Sequence, residues 1–518
     1  MNLLRASGLL LHPTSLPGRY GIGDLGPEAH AFVDFLAETG QTWWQILPLG
    51  PTGYGNSPYQ SPSSFAGNPL LIHLDRLVER GWLDAREVAV DPDLPADHVD
   101  FDAVAELKLR LLRRAFERFR ARGADPEFEC FRHENRAWLD DYVLFQSLRD
   151  AHRGRPWWEW EPAFVAGDPT ACAHHRDRLA DELKYHEFVQ YAFESQWKEL
   201  RAACRGKGIR LIGDLPIFVA HDSADVWAHR ESYDLDERGQ PRFVAGVPPD
   251  YFSATGQLWG NPLYRWEALA RDGYRWWLAR LRSVLSRVDL VRIDHFRGFA
   301  AYWAVPAGSE TAATGRWVPA PGRDFFQAVR KELGSVPLIA EDLGVITPDV
   351  EALRDEFNLP GMRVMQFGFD ADPASEKHLP HRFVPNCIAY TGTHDNDTTY
   401  GWFHSTEVTT TQSREEVQAA RAYARRYANS TAAEIHWDLI RLEFASVADT
   451  AIVPMQDVLG LDSRARMNRP GAAQGNWRWR FTKEQVDGRV RDRLADLTAI
   501  YSRWNGTIPA ALDPHPRG

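Results

Sequence analysis

Short runs of apolar residues recur along the chain, and each run is bounded by polar, glycine or proline residues. Such runs are typical of strands that are buried on both faces of a parallel sheet. The eight candidate strands are the segments 8–11, 42–49, 209–219, 290–299, 337–343, 362–369, 387–393 and 448–455.

Helical patterns lie between most of these runs. The segments 27–40, 276–288, 324–333 and 348–357 repeat apolar residues with the period of a helix. Strands and helices that alternate in this way predict an α/β fold, a (β/α)8 TIM barrel. We expect one catalytic barrel unit over 1–518, because elaborated barrels can exceed about 400 residues.

Two intervals are too long to be simple connections between a strand and the next helix. The interval of about 74–199 contains charged, strongly helical stretches and is predicted to be a helical subdomain inserted after strand 2. The interval of about 221–272 is rich in Pro, Gly, Tyr and Trp. It is predicted to be a loop insertion after strand 3 that covers the cleft, since long loops within compact domains are usually functional.

Composition and charge exclude several classes of partner. Hydrophobic residues make up 44% of the chain and charged residues 25%, which is ordinary for a globular protein. The net charge of −11 argues against a nucleic-acid surface, which would be basic. We find no membrane-spanning stretch and no targeting segment, so we expect a cytoplasmic protein without a membrane partner. The four cysteines form no C-x-x-C pair, and we expect no metal and no cofactor.

Acidic residues end several of the predicted strands. In a barrel, the carboxyl ends of the strands carry the active site. Asp214 lies towards the end of strand 3, Asp294 ends the apolar part of strand 4, and Glu341 ends strand 5. His394 and Asp395 end strand 7. A single such aspartate is usually a helix cap, but several at one rim predict a catalytic site.

Asp294 has a basic neighbour on its own strand. Residues two apart on a strand share a face, so Arg292 and Asp294 point the same way. A guanidinium beside a carboxylate lowers the pKa of that carboxylate, which suits a nucleophile. A purely structural ion pair inside the barrel would produce the same pattern.

Glu341 follows an apolar triplet, and an apolar collar would raise the pKa of its carboxyl group. A raised pKa suits a proton donor at neutral pH. Retaining glycosidases need two carboxyl groups roughly 5–5.5 Å apart, and the ends of adjacent strands can provide this spacing. Asp395 is a third carboxylate that could hold the ring hydroxyls of a distorted sugar.

Eight motifs in order carry a resemblance to a known family. They are LHPTSLPGRYGIGDLG (11–26), GYGNSPYQSPSSFAGNPLL (53–71), GDLPIFVAHDSADVW (213–227), GVPPDYFSATGQLWGNPLY (246–264), RIDHFRGF (292–299), IAEDLG (339–344), YTGTHDNDT (390–398) and RMNRPGAAQGNWRWR (466–480). With them the sequence resembles the amylomaltases, or 4-α-glucanotransferases, a glycoside hydrolase family of the α-amylase clan. The resemblance covers almost the whole chain.

The resemblance implies a role for each matching residue. Asp294 is implied to be the nucleophile, Glu341 the acid/base and Asp395 the stabiliser of the transition state. The implied sugar-binding residues are Tyr59, Asp214, Arg292 and His394 at the cleavage site, Ser57, Asp370, Asn468 and Pro470 on the donor side, and Gln257 and Trp259 in the loop on the acceptor side. Tyr54 is a candidate for a second glucan site at the surface.

The resemblance further implies transfer of α-1,4-glucan segments to the 4-hydroxyl of an acceptor glucan or glucose, with retention of configuration. The implied partners are α-1,4-glucans, namely maltooligosaccharides, amylose and glycogen-type polymers. A hydrolase of the amylase type would need the same carboxylates, with water as the acceptor.

Two alternatives come from other classes of protein. In the first, Asp214, Asp294 and Glu341 are the ligands of a magnesium ion, as in enolase-type barrels. Arg292 argues against this, because a cation beside Asp294 opposes a metal. In the second, the chain is a non-catalytic glycan-binding protein. The presence of all three candidate carboxylates argues against that interpretation.

Overall fold

A computed structural model describes residues 4–88, 94–249, 253–405, 413–472 and 474–514 of the chain. Within these ranges it contains the strands β1 (Ala6–Leu10), β2 (Trp43–Gln45), β3 (Arg210–Pro216), β4 (Phe243–Val247), β5 (Gln257–Pro262), β6 (Leu290–Asp294), β7 (Ala301–Pro306), β8 (Arg316–Pro319), β9 (Leu338–Ala340), β10 (Gly361–Val364), β11 (Cys387–Tyr390) and β12 (Thr450–Pro454).

Eight of these strands form a closed parallel barrel in the order β1-β12-β11-β10-β9-β6-β3-β2. Each of the eight comes from one of the predicted apolar runs, so the prediction of a (β/α)8 barrel is confirmed. The runs are mostly apolar because both faces of these strands are covered, as in β1 and β12, whose residues are all buried.

Seven of the eight barrel strands are shorter than the runs that predicted them, and β1 is one residue longer than its run. The run 290–299 is a strand only as far as Asp294, because His295 adopts a left-handed backbone conformation with φ of 56°. The chain therefore turns away from the barrel immediately after Asp294. The run 337–343 likewise forms a strand only over Leu338–Ala340, which places Glu341 just beyond the strand end.

Helices surround the barrel and fill the long intervals. They are α1 (Pro27–Glu38), α2 (Leu74–Glu79), α3 (Phe101–Ala121), α4 (Pro126–Ala151), α5 (Pro162–Val165), α6 (Pro169–Arg178), α7 (Ala180–Gly206), α8 (Ala224–Ala228), α9 (Trp266–Arg271), α10 (Arg275–Arg287), α11 (Gly322–Leu333), α12 (Pro348–Glu356), α13 (Thr399–His404), α14 (Arg414–Ala428), α15 (Ile435–Ala445), α16 (Met455–Val458) and α17 (Gly488–Ile500). Among the helices described, none has both the length and the apolar character that crossing a membrane requires.

The interval between β2 and β3 contains the helices α2 to α7. A buried ion pair joins it to the chain that precedes it. Lys108 of α3 donates to Asp24 at 2.8 Å and to the carbonyl oxygens of Leu70 and Ile72 at 2.8 and 2.9 Å. All three N–H donors of the ammonium group have partners, which is how a fully buried lysine can remain charged.

The interval 221–272, expected to be a loop that covers the cleft, contains α8, β4, β5 and α9, and its residues 250–252 lie outside the described ranges. Here β4 and β5 join β7 and β8 in an antiparallel sheet of order β5-β4-β7-β8. The apolar pattern did not predict this sheet, because its strands are short and Gly246 and Gly260 interrupt their alternation.

Candidate active site

Side chains from neighbouring barrel strands meet at the carboxyl-terminal rim. Asp214 lies on β3, Arg292 and Asp294 lie on the adjacent β6, and Glu341 directly follows β9, the next strand. The register of β3 and β6 places Asp214 directly beside Arg292. The closed order of the barrel therefore brings residues that are distant in sequence to one site.

Arg292 lies at the centre of this group. Its Nη1 donates to both carboxylate oxygens of Asp214, at 2.8 and 2.7 Å, and its Nη2 donates to Oδ1 of Asp294 at 2.8 Å. Burial alone would lower the pKa of the guanidinium, but Asp214 and Asp294 outweigh burial and raise it. Arg292 thus remains charged and holds two carboxylates in fixed positions.

Glu341 is held by two main-chain amides. Its Oε2 accepts a hydrogen bond from the amide of His295 at 2.7 Å, and its Oε1 accepts one from the amide of Leu343 at 2.9 Å. Burial, assisted by the nearby Asp294, raises the pKa of Glu341 to about 7 against the opposing effects of Arg292 and the two amides. The direction agrees with the expectation from the apolar residues before Glu341.

His295 connects Glu341 to the antiparallel sheet. Its left-handed conformation aims its amide at Glu341, while its ring packs against Trp259 of β5, edge to face with centroids 4.8 Å apart. Trp259 in turn donates from Nε1 to Oε1 of Gln257 at 3.2 Å. Both residues of the predicted acceptor-side loop therefore lie on a strand beside the acid group.

Tyr59 also binds Asp214. Its hydroxyl donates to Oδ2 of Asp214 at 2.8 Å and lies 2.9 Å from Nε2 of His394. A hydroxyl has one proton, so when Tyr59 donates to Asp214 it must accept from His394, whose Nε2 then carries a hydrogen. The rings of Tyr59 and His394 stack with centroids 5.3 Å apart, and Trp477 packs against both.

Asp395 is positioned by the segment 466–468. Oδ1 of Asp395 accepts from Nδ2 of Asn468 at 2.6 Å, and its carbonyl accepts from Arg466 at 2.6 Å. The main-chain amide of Asn468 also donates to the main-chain carbonyl of His394 at 3.0 Å. The side chain of Asp395 nevertheless remains 43% exposed, so it can reach a ligand in the cleft.

The remaining candidates lie in looser surroundings. Oγ of Ser57 accepts from the amide of Tyr59 at 3.2 Å, which links the two residues. Asp370 is half-buried after the 3-10 turn Met365–Phe369, and Pro470 is exposed. Tyr54 is 80% exposed, and the structure does not place a second aromatic residue beside it among the ring contacts described.

Sequence reasoning missed several contacts at this candidate site. Arg466 and Trp477 fall within the motif 466–480 but were not singled out, and the amide of His295 gave no signal at all. His12, which follows β1, is also buried at this rim. Burial and the neighbouring His394 lower the pKa of His12 to about 3, so its ring is neutral. The sequence signal that could have identified His12 is its position as a polar residue directly after the apolar run 8–11.

The magnesium alternative does not fit these contacts. Arg292 binds two of the three proposed ligands, Asp214 and Asp294, and so places a positive charge where the metal would have to lie. Within the described residues, no group of three or more His, Cys, Asp or Glu side chains is arranged to hold a metal ion.

The barrel and its rim of carboxylates define an enzyme of the (β/α)8 class. Residues 11–485 match the family model described as 4-alpha-glucanotransferase, and the chain belongs to this family. It is 50% identical over 505 residues to the 4-alpha-glucanotransferase of a Synechocystis species, covering 96% of this chain and 98% of the relative. It is 51% identical over 514 residues to that of Thermus thermophilus, covering 97% of this chain and 100% of the relative.

Solved structures agree with this assignment. The chain superposes on the amylomaltase from Streptococcus agalactiae in complex with acarbose with a TM-score of 0.91 and 39% identity, covering 97% of this chain and 100% of the other. Amylomaltase from Corynebacterium glutamicum shares the fold, with a TM-score of 0.76 at 19% identity over 95% of this chain and 75% of the other. The resemblance inferred from the eight motifs is confirmed, and the chain is a 4-α-glucanotransferase that acts on α-1,4-glucans.

Proposed function

We propose that Asp294 is the nucleophile and Glu341 the acid/base of a retaining transfer between α-1,4-glucans. The observation that carries the assignment is the contrast between the two carboxyl groups. Asp294 receives a hydrogen bond from a charged guanidinium, whereas burial raises the pKa of Glu341 to about 7. Two carboxyl groups in such different surroundings can serve as nucleophile and proton donor at neutral pH.

In the first step, protonated Glu341 donates its proton to the glycosidic oxygen while Asp294 attacks the anomeric carbon. The bond between that carbon and the glycosidic oxygen breaks, and the leaving glucan departs with the proton. A β-glucosyl ester of Asp294 remains, and Glu341 is left ionised. Arg292 occupies Oδ1 of Asp294, which leaves Oδ2 as the attacking atom.

In the second step, ionised Glu341 takes the proton of the acceptor's 4-hydroxyl group, whose oxygen attacks the anomeric carbon. The ester bond to Asp294 breaks, the carboxylate is regenerated, and a new α-1,4 bond forms with the configuration retained. Water in place of the acceptor would give hydrolysis. Trp259 and Gln257 of β5, beside His295, support a sugar acceptor over water.

The other site residues have roles that their contacts support. Asp395, fixed by Asn468, would bind hydroxyl groups of the sugar at the cleavage site as positive charge develops on its ring. Asp214, Arg292, His394 and Tyr59 would form a connected cage around the same sugar. Ser57, Asp370, Asn468 and Pro470 would contact the donor chain, and Tyr54 would belong to a separate surface site.

The substrates would be maltooligosaccharides, amylose and glycogen-type polymers. The structure of the Streptococcus agalactiae relative contains acarbose. Because this chain shares the fold of that relative, we expect it to bind acarbose too. We also propose a cytoplasmic location.

The test is to incubate the pure enzyme with maltotriose and to separate the products. A ladder of longer oligosaccharides together with glucose is expected for transfer. If only sugars shorter than maltotriose appear, the enzyme hydrolyses its substrate and the proposed transfer is wrong. The variant Asp294→Asn serves as the control, because it keeps the shape of the side chain and should produce no ladder; turnover by this variant would rule out the assigned nucleophile.

A further inference from the structure

The loop that follows β11 carries two of the proposed site residues. It runs from Thr391, the first residue after β11, to Thr399, the first residue of α13, and it contains His394 and Asp395. We call this segment the β11 loop. In the barrel, β11 lies between β10 and β12. Residues that follow these two neighbouring strands can therefore contact the β11 loop from both sides.

A carboxylate on the β12 side binds both ends of the β11 loop. Asp457 lies in α16, the short helix that directly follows β12. Its Oδ2 accepts a hydrogen bond from the hydroxyl of Thr391 at 2.6 Å and another from the hydroxyl of Thr399 at 2.7 Å. Its Oδ1 accepts from the main-chain amide of Thr399 at 2.6 Å. This amide needs such a partner, because the first amides of a helix have no acceptor within the helix.

Gln366 holds the β11 loop from the β10 side. It lies in the 3-10 turn Met365–Phe369, which follows β10. Its Nε2 donates to the carbonyl of Asp397 at 2.9 Å and to the hydroxyl of Thr399 at 3.4 Å. The hydroxyl of Thr399 therefore accepts from Gln366 and gives its own proton to Asp457. Every hydrogen bond to Asp457 described above thus comes from a donor in the loop.

The β11 loop is also bonded internally. The side-chain oxygen of Asn396 accepts from the amide and from the hydroxyl of Thr393, both at 2.9 Å. The amide of Asp395 donates to the hydroxyl of Thr393 at 3.3 Å. Because the middle of the loop is bonded in this way, a displacement of either end should also displace Asp395.

Asp457 is too deeply buried to touch a ligand. It is 1% exposed, and Thr391 and Thr399 are fully buried, whereas the side chain of Asp395 is 43% exposed. Asp457 can therefore affect a bound sugar only through the loop that it holds. The loss of its charge would leave buried donors of the loop without an acceptor, and the loop would have to rearrange to satisfy them.

We propose that Asp457 is a positioning residue of the transfer reaction, which sets the place of Asp395 by joining the two ends of the β11 loop. The inference rests on the proposed function, because it takes Asp395 to stabilise the transition state. Contacts of this kind depend steeply on geometry, and a misplacement of about 1 Å can cost roughly 100-fold in rate.

The experiment compares the full-length enzyme with Asp457→Asn, Thr391→Val and Thr391→Ser. Initial rates of glucose release from maltotriose give kcat and KM, and thermal unfolding gives the stability of each variant. We expect kcat to fall roughly 10- to 100-fold in Asp457→Asn, whose amide group cannot accept from both threonine hydroxyls. KM should change less than about threefold, because the contacts of Asp395 with the sugar strengthen in the transition state.

The two variants at 391 test the path of the effect. Thr391→Val removes only the hydroxyl and should lower kcat roughly three- to 30-fold, whereas Thr391→Ser keeps the hydroxyl and should retain most of the activity. The double variant Thr391→Val/Asp457→Asn should be within about twofold of Asp457→Asn, since both changes break the same hydrogen bond. If Asp457→Asn does not fold, the comparison of Thr391→Val with Thr391→Ser decides.

Asp24→Asn is the matched control for a general loss of stability. Asp24 is also a buried carboxylate, but it binds Lys108 of α3 and lies outside the proposed site. This variant should lower the melting temperature and keep kcat within about twofold, at an assay temperature where all variants are folded.

An unchanged kcat in folded Asp457→Asn and Thr391→Val would overturn the inference. So would an equal loss of kcat in Thr391→Ser and Thr391→Val, or in Asp24→Asn, because the loss would then not follow the hydrogen bond to the loop. Absence of a maltotriose ladder from the unaltered enzyme would instead refute the proposed function, whatever the variants show.

Discussion

Tyr59 and His394 are 335 residues apart in the sequence, yet their side chains share a hydrogen bond of 2.9 Å and their rings stack 5.3 Å apart. The same hydroxyl group binds Asp214. One phenol therefore couples the loop after β2 to strand β3 and to the loop after β11. We expect the position of the sugar at the cleavage site to depend on this coupling.

Replacing Tyr59 with Phe should lower kcat/KM for maltotriose by roughly 10- to 150-fold, the value of a hydrogen bond to a charged group of about 1.5–3 kcal/mol. The ring and its stacking on His394 are retained, so the melting temperature should change little. Steady-state kinetics and thermal unfolding measure the two effects. An unchanged kcat/KM would show that the hydroxyl group does not organise the site.

The rate should depend on the protonation of Glu341. Because its pKa is about 7, kcat/KM for the donor should fall about tenfold per pH unit above that value, as the acid form disappears. A pH profile with maltotriose measures this decline. Glu341→Gln cannot ionise and should remove the decline while lowering the rate by roughly 100- to 10,000-fold. A decline that persists in Glu341→Gln would assign the proton to another group.

Glu341 should also make stability depend on pH. Its pKa is raised from 4.5 to about 7 by folding, so the protonated form is favoured in the folded state. That stabilising contribution is complete below about pH 4.5 and is lost as the pH rises through 7. The difference in free energy of unfolding between Glu341→Gln and the unaltered enzyme should therefore shift by about 3 kcal/mol in favour of the variant when the pH is raised from 4 to 8. Urea denaturation at both pH values tests it; a constant difference would contradict the raised pKa.

Arg292→Met should destabilise the fold by about 3–5 kcal/mol, because Asp214 would remain buried without its cation. Chemical denaturation measures the change. The double variant Asp214→Asn/Arg292→Met should recover part of the loss, since both charges are then gone. A double variant no more stable than Arg292→Met would show that the pair is not the source of the effect.

Lys108→Met should destabilise the protein by a similar amount, about 3 kcal/mol, by leaving Asp24 buried beside a neutral side chain. The substitution lies outside the active site, so KM for maltotriose should not change. Asp24→Asn/Lys108→Met is the control variant. A changed KM would indicate that the helices α2 to α7 influence the cleft.

The enzyme should keep its full activity in EDTA, because Arg292 already neutralises the carboxylates that a magnesium ion would need. Assays with and without chelator test this directly. Loss of activity that magnesium restores would revive the alternative of a metal site.

The barrel could be predicted from sequence because parallel strands are buried on both faces and therefore appear as continuous apolar runs. Asp294 and Glu341 could be singled out because they end such runs. The contact between Tyr59 and His394 could not be predicted, since it depends on how loops pack after the barrel closes. The left-handed backbone conformation of His295 could not be predicted either, because a histidine does not require this conformation. The sheet of β4, β5, β7 and β8 was missed because its strands alternate only briefly.

The side chain of Glu341 is held by the main-chain amides of His295 and Leu343, and the side chains of these two residues take no part in either hydrogen bond. Amide groups are common to every residue except proline. Substitutions at 295 or 343 are therefore expected to leave Glu341 in place, provided that proline is avoided and the turn is kept. We therefore expect the position of the proposed proton donor to be set by the path of the backbone, so that side-chain substitutions at 295 and 343 change it little.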